Sequence, residues 1–259
     1  MLARAMLHFG EEPVISGERG AGAVFFSGCT MRCQFCQNSE ISTGGLGRST
    51  ENLRAIFDNL IAQGAQTLEL VTPTQFLPHI LPALTPKPTV PVVYNCGGYE
   101  KVKTLHALKG KVDVYLPDLK YADNALAWRY SGAPDYFEIA TAAILEMYRQ
   151  VGPVVIEGGI MKRGVLIRHL VLPNCLDNTL RVIEWVAEQF PKQEVLFSLM
   201  SQYVPMNGIP APLNRQISQE EYDGAVSWME LCGLSSGYTQ AFSSATTELL
   251  PEFNFEGIY

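Results

Sequence analysis

Positive charge is scarce in this chain. Nineteen Lys and Arg residues stand against 26 Asp and Glu, giving a net charge of −7 and a pI of about 5.2. No run rich in Lys or Arg occurs, and a phosphate-backbone partner would call for a basic stripe, so nucleic-acid binding is not expected. Long apolar runs are missing too: nothing approaches the roughly 18 residues of a membrane span. The apolar stretch within residues 1–10, MLARAMLHFG, is shorter than that of a secretory signal peptide. Cysteine is sparse, with six residues in 259, and without such a signal these point to a reducing, cytoplasmic compartment. There is no repeat, low-complexity stretch or linker. One domain is therefore expected over residues 1–259, with 1–21 and 204–259 as its N- and C-terminal extensions. A hydrophobic fraction of 47% and a charged fraction of 17% describe a globular chain with a substantial core.

Half of the cysteines fall in one short segment. The apolar run Ala23 to Phe26 reads as a buried strand, and Gly28 allows a sharp exit into a loop carrying Cys29, Cys33 and Cys36. Three thiols in a C-x3-C-x2-C spacing cannot all be satisfied by a disulfide. They can grip three corners of an iron–sulfur cluster, for which cysteine thiolates are the usual ligands. A structural zinc site normally wants four ligands, and no Cys or His follows Cys36 until His79. A cubane held by three cysteines leaves one iron open to a substrate or cofactor. The competing reading is a zinc knuckle or a chance group of thiols. Cys96, Cys175 and Cys232 are widely spaced and read as small buried thiols, with Cys96 either near the cofactor or in the core.

The segment resembles the cluster loop of the radical S-adenosylmethionine (radical SAM) enzymes, whose signature is C-x3-C-x-aromatic-C at the end of the first barrel strand. Phe35 stands at the aromatic position, which the resemblance places near the adenine. The ending Cys36-Gln37-Asn38 is similar to that of pyruvate formate-lyase activating enzyme and its relatives. The resemblance implies an enzyme with a [4Fe–4S] cluster on Cys29, Cys33 and Cys36, which cleaves SAM reductively to a 5′-deoxyadenosyl radical that abstracts hydrogen from a substrate. It also implies a reductant such as flavodoxin or ferredoxin, and a possible protein substrate of the glycyl radical enzyme type. A small molecule or peptide is the alternative substrate. A non-catalytic iron–sulfur carrier or structural zinc protein is a reading of another class; it would have no need of a SAM pocket.

Hydrophobic periodicity predicts strands at Thr67 to Val71, Val90 to Tyr94, Val112 to Leu116, Leu166 to Leu172 and Glu194 to Leu199 after the first. Helices are expected between them. One opens at Ser49-Thr50 with Leu53, Ile56, Phe57, Leu60 and Ile61 on its apolar face, ending at Gly64. Another carries Phe137, Ala140, Ile144, Leu145 and Tyr148 inward, and a third Leu180, Ile183, Val186, Ala187 and Phe190. The last begins at Ser218, whose spacing to Glu221 is a capping box, with Tyr222, Ala225, Val226 and Met229 inward. Residues 1–21 read as a loop or hairpin; the tail beyond Gly237 has no assignment. Such alternation gives an α/β fold with a parallel sheet, either open and doubly wound or a partial barrel. The resemblance implies a (β/α)6 partial TIM barrel with the cluster loop after strand 1.

In parallel α/β folds the chemistry collects at the C-terminal strand ends. Thr72 and Thr74 follow the second strand where the resembled family carries Gly-Gly-Glu, and they offer hydroxyls and carbonyls but no carboxylate. Asn95 stands where the family has an Asp that helps bind a cation beside SAM. Asp118 and Lys120 match the family's D-x-K, in which the Lys pairs with the methionyl carboxylate, and their spacing puts both on one side of an extended chain. Of the neighbours Arg168 and His169 only one can point inward; the resemblance favours Arg168 and leaves His169 under a helix. Gln202 replaces the family's ribose-contacting His. Phe35, Asn38, Thr72, Thr74, Asn95, Asp118, Lys120, Arg168 and Gln202 are thus the expected SAM contacts. Gly158-Gly159 and Lys162-Arg163-Gly164 read as a mobile basic loop, either a substrate lid or a solvated turn.

Overall fold

The structure, a computed structural model, describes residues 1–50, 52–242 and 251–259. Strand β1 (Leu2–His8) runs antiparallel to β2 (Ala21–Phe26), and the single turn α1 (Pro13–Ser16) lies between them. Residues 1–21 therefore hold a full edge strand where a loop or hairpin was expected. The cysteine loop leads into α2 (Ser39–Ser42) and α3 (Leu53–Ala62). The cap of α3 is Asn52, not Ser49-Thr50: its side chain accepts from the Ala55 N–H. Leu53, Ile56, Phe57 and Leu60 are buried as their spacing requires. The chain continues through β3 (Leu68–Val71), a 3₁₀ turn at Thr74–Phe76, α4 (Leu77–Ala83), β4 (Val92–Cys96), α5 (Val102–His106), β5 (Val114–Pro117), α6 (Asn124–Ser131) and α7 (Tyr136–Val151). The buried stripe of α7 runs through Ala140, Ala143, Ile144 and Met147, and Leu145, expected inward, is exposed.

Next come β6 (Val155–Glu157), β7 (Ile160–Leu170), α8 (Leu176–Gln189), β8 (Leu196–Met200), α9 (Gln219–Leu231) and β9 (Gly237–Thr239). The expected basic loop is instead a hairpin. Gly158 and Gly159, with φ of 58° and 77°, form its two-residue turn, and Lys162 and Arg163 lie within β7. The capping box of α9 is present: Ser218 Oγ accepts from Glu221 N at 3.2 Å, and Glu221 Oε2 accepts from Ser218 N at 2.7 Å. Beyond Gly237 the chain adds β9 to the sheet edge, and residues 243–250 of the unassigned tail lie outside the described residues. The stretch 251–259 packs on β1, where Ala5 N donates to Glu256 O and Phe255 N to Ala3 O.

The strand order is β1-β2-β3-β4-β5-β7-β8-β9, with β6 paired to β7. From β2 to β9 every pair along this path is parallel; among the described residues β1 and β9 do not pair with each other, so the sheet is not closed. One face packs under the helices through Val24, Phe26, Leu70, Tyr94, Ile167 and Leu199. On the other face Val93, Val114, Leu116, Leu166 and Leu196 make a smaller apolar cluster with Val14 and Ile15 of α1. Two residues further along the strands, on that same face, stand Asn95, Asp118, Arg168 and Ser198. The face is thus apolar below and polar toward the C-terminal strand ends. Among the described residues no helix is long and apolar enough to cross a membrane.

Candidate functional site

Gly28, with φ of 96°, turns the chain out of β2 into the cysteine loop, a conformation a Cβ would strain. The Gln75 side chain donates to the Ser27 and Gly28 carbonyls, at 3.3 and 2.5 Å, and holds this turn. The loop rests on the end of α6: Arg32 N donates to Ser131 O and Gln34 N to Tyr130 O. All three loop cysteines are free and half-buried. Ser131 Oγ donates to Cys33 Sγ at 3.0 Å, and Met31 N to Cys29 Sγ at 3.4 Å. Burial pushes the Cys33 thiol up to about 11, against the pull of the Lys120 charge, and raises Cys29 too. Such thiols stay protonated unless a cation takes the proton's place.

No three described His, Cys, Asp or Glu side chains converge closely enough to hold a single metal ion. A polynuclear cluster spreads its ligands over separate irons and asks for a wider triangle of sulfurs. Three free thiols on one loop, each lining the same cavity and two of them with donors to sulfur, suit such a group.

Opposite the thiols lies a charged network assembled from five segments of the chain. Arg168 on β7 donates from Nε to Asp118 Oδ1 at 2.9 Å, from Nη1 to Glu11 Oε2 at 2.8 Å and from Nη2 to Asn95 Oδ1 at 2.8 Å. Lys120 Nζ donates to Asp118 Oδ2 at 2.5 Å. Asn95 Nδ2 donates to Glu69 Oε1 at 2.7 Å. Burial alone would raise Asp118, but Lys120 and Arg168 outweigh it and hold the carboxyl below its usual range. Burial would likewise discharge Lys120 and Arg168, and the facing carboxylates keep both charged. Glu69 goes the other way: fully buried on β3 and facing Glu11, it is pushed well up despite the bond from Asn95. His169 points to the opposite face, bonded to Leu119 O at 2.6 Å and Thr179 Oγ1 at 2.9 Å; burial takes it down to about 4, so it stays neutral.

Thiols and network share one cavity of about 440 Å³, within the ~300–1,000 Å³ typical of small-molecule sites. Cys29, Cys33 and Cys36 line it with Phe35 and Asn38 from the same loop, Thr72 after β3, Asn95, Asp118, Lys120, Arg168 and, after β8, Gln202. Phe35 packs against Tyr203 with ring centroids 6.1 Å apart. Cys96 is both core and cavity wall. Thr72 holds a φ of 52°, a left-handed conformation that costs a β-branched residue about 1–3 kcal/mol, with its N–H on Asn95 O. Thr74 does not reach the cavity: its hydroxyl meets Tyr94 Oη at 2.9 Å and donates to Glu100 at 2.6 Å. Asn95, expected in the turn, lies within β4.

The sequence reading missed the carboxylates. Glu11 and Glu12, between β1 and α1, both line the cavity, and Glu69 stands behind Asn95. The Glu69 signal was present: an acidic residue between Leu68 and Leu70 in a strand buried on both faces demands a partner. Glu11-Glu12-Pro13 carries no such mark, because an acidic pair before proline is ordinary in a loop.

The fold is shared with solved structures of other proteins. Methylornithine synthase matches with a TM-score of 0.56 over 91% of this chain and 73% of that one, at 15% identity. A spore photoproduct lyase mutant matches at 0.52 over 90% and 80%, with 12% identity, and HydG, a maturase of the [FeFe]-hydrogenase, at 0.52 over 87% and 53%, with 14% identity. Identities this low speak to the fold. No family model matches the chain. It belongs to the family of the uncharacterized protein MJ0674 of Methanocaldococcus jannaschii, with which it is 30% identical over 246 residues, 90% of this chain and 68% of that protein.

Proposed function

We propose that this chain is a radical SAM enzyme in which Cys29, Cys33 and Cys36 hold a [4Fe–4S] cluster and the adjoining cavity receives SAM. The observation that carries the reading is the meeting of three free thiols and an ordered Asp118–Lys120–Arg168 network in one cavity at the C-terminal strand ends. The cluster would supply an electron for reductive cleavage of SAM, and SAM the radical that takes a hydrogen atom from the substrate. The six strand–helix units form, in this reading, the (β/α)6 partial barrel of that superfamily, as one catalytic domain.

The residues divide the work by their chemistry. Lys120, held by Asp118 and near Cys33, is the point charge for the methionyl carboxylate. Arg168 spends donors on Asp118, Glu11 and Asn95 and positions Asp118. Phe35 offers an aromatic surface to the adenine, and Asn38, Thr72 and Gln202 offer polar contacts. The raised thiols release protons on iron uptake, so loading is favoured at higher pH. The finer reading is an activating-enzyme-like role, with flavodoxin or ferredoxin as reductant and a protein such as a glycyl radical enzyme as substrate. The Cys36-Gln37-Asn38 ending and the acidic net charge support it over a nucleic-acid substrate.

Anaerobic reconstitution with iron and sulfide, followed by reduction with dithionite and SAM, tests the reading. The expected result is about four irons per chain, as for one cubane, with methionine and 5′-deoxyadenosine as products. Stoichiometric zinc without iron uptake, or a loaded cluster that leaves SAM intact, overturns it.

A further inference from the structure

The cavity has a second end that the cofactor reading does not use. Glu12 stands there, with 9% of its surface exposed, and its Oε2 has no hydrogen-bond partner. The Ser198 hydroxyl on β8 lies close enough to favour the ionised carboxyl, yet it too has no partner at full hydrogen-bond distance. An unbonded carboxyl oxygen in a buried wall loses more than an ordinary hydrogen bond is worth, so the position asks for a partner from outside the chain.

The charges say which kind. Arg168 and Lys120 are matched by Asp118 and Glu11. Glu12 and Glu69 are left over, and burial drives both toward the neutral acid. The other titratable groups around Glu12 add no cation. His8 on β1 is held toward neutrality by burial and by Arg168, and burial raises Tyr238 on β9. A cation arriving at Glu12 would let the carboxyl ionise and leave the whole cavity balanced. Phe25, Val71, Leu170 and Met200 give the same cavity an apolar share of its wall.

We propose that Glu12 is the recognition group for the substrate's primary amine, so that the enzyme acts on an aliphatic ammonium compound, either a free amine or the side chain of a lysine. The amine sits on Glu12 and Ser198, the methylene chain lies along the apolar wall, and the carbon to be attacked is held toward the thiol end. The proposal rests on the radical SAM reading for that last step only; the amine site stands or falls on binding.

Calorimetry of the cluster-loaded, unreduced chain saturated with SAM tests it, with n-butylamine, L-lysine, a lysine-containing peptide, 1-butanol and butyrate as probes. The expected result is saturable binding of at least one amine, and none of the alcohol or the acid. Because the carboxyl gives up its proton to meet the cation, affinity rises with pH, and the heat changes with the ionisation enthalpy of the buffer. Glu12→Gln, nearly isosteric, should weaken the amine tenfold or more while iron content stays normal. Whether the free amines or the peptide binds tighter assigns the source. Amine binding unaltered in Glu12→Gln, equal binding of 1-butanol, or no binding of any amine overturns the proposal. If the chain takes up no iron, the same titration on the metal-free protein still decides the amine site, and only the cofactor reading is lost.

Discussion

The two ends of the cavity are built on opposite plans. The thiol end is one loop, in which Cys29, Cys33 and Cys36 lie within eight residues of sequence, and burial raises the Cys29 and Cys33 thiols, which need a metal to become ligands. The network end draws Glu11, Glu69, Asn95, Asp118 and Arg168 from five separate segments and pairs its Arg168 and Lys120 charges without any ligand, while Glu69 Oε2 stays unbonded. The first end is local, the second distributed. A local motif can be lost with little cost to the fold, whereas a distributed buried network is part of the fold.

The widest effect should come at the thiol end. Cys33→Ala should abolish iron uptake and visible absorption after reconstitution while circular dichroism and the unfolding midpoint of the metal-free chain stay unchanged. Retained four-iron loading in this variant would break the contrast. At the other end, Arg168→Met strands Glu11 as a buried carboxyl and leaves Asp118 with Lys120 alone. It should lower stability by about 3–5 kcal/mol in a urea titration of the metal-free chain. A loss below about 1 kcal/mol would mean that the network is ornamental to the fold.

Glu100 tests a buried carboxyl with weaker support. It is 3% exposed, accepts from Thr74 and leaves Oε2 without a partner, and burial pushes it up to about 7. The folded chain therefore holds this proton more tightly than the unfolded one, whose carboxyl has the ordinary value of 4.5. Its stabilising share is full below that value and is lost as the pH rises to about 7. Glu100→Gln, neutral throughout, should be more stable than the parent at pH 8 by about 3 kcal/mol and should flatten the slope between pH 5 and 7. An unchanged slope would place the proton elsewhere. Lys120 lies between the two ends, bonded to Asp118 and close to Cys33. Lys120→Ala should raise the SAM dissociation constant at least tenfold, about 1.4 kcal/mol, with iron content preserved. Unaltered SAM affinity would detach the network from cofactor binding.

The same division explains what could be read from the sequence. A motif within one loop is visible in its spacing, and strand alternation was visible because strands buried on both faces read as apolar runs. That Arg168 and His169 face opposite ways followed from the two-residue period of a strand, and the family resemblance chose Arg168 as the inward one. The antiparallel β1 and the carboxyls it delivers were not visible. Leu2–His8 has the period of neither a helix nor an alternating strand, and nothing in Glu11-Glu12-Pro13 tells that a cation 157 positions away will claim the first carboxyl. Thr74 was placed wrongly because a hydroxyl after a strand looks the same whether it faces the cavity or Tyr94.

That long separation bears on how the molecule comes together. Loop closure between distant residues is slow, and parallel pairings are paid in chain entropy before they return contacts. The pair between Glu11 and Arg168 spans β2 through β7 and can close only once those strands lie side by side. Its closure follows the pairing of β2 through β7 and is no part of the nucleus. Until then the Arg168 guanidinium stays hydrated, and so does the segment from Gly10 to Pro13. The floor of the cavity is therefore a late event in folding, and an intermediate that has formed every helix can still lack a place for a ligand to rest.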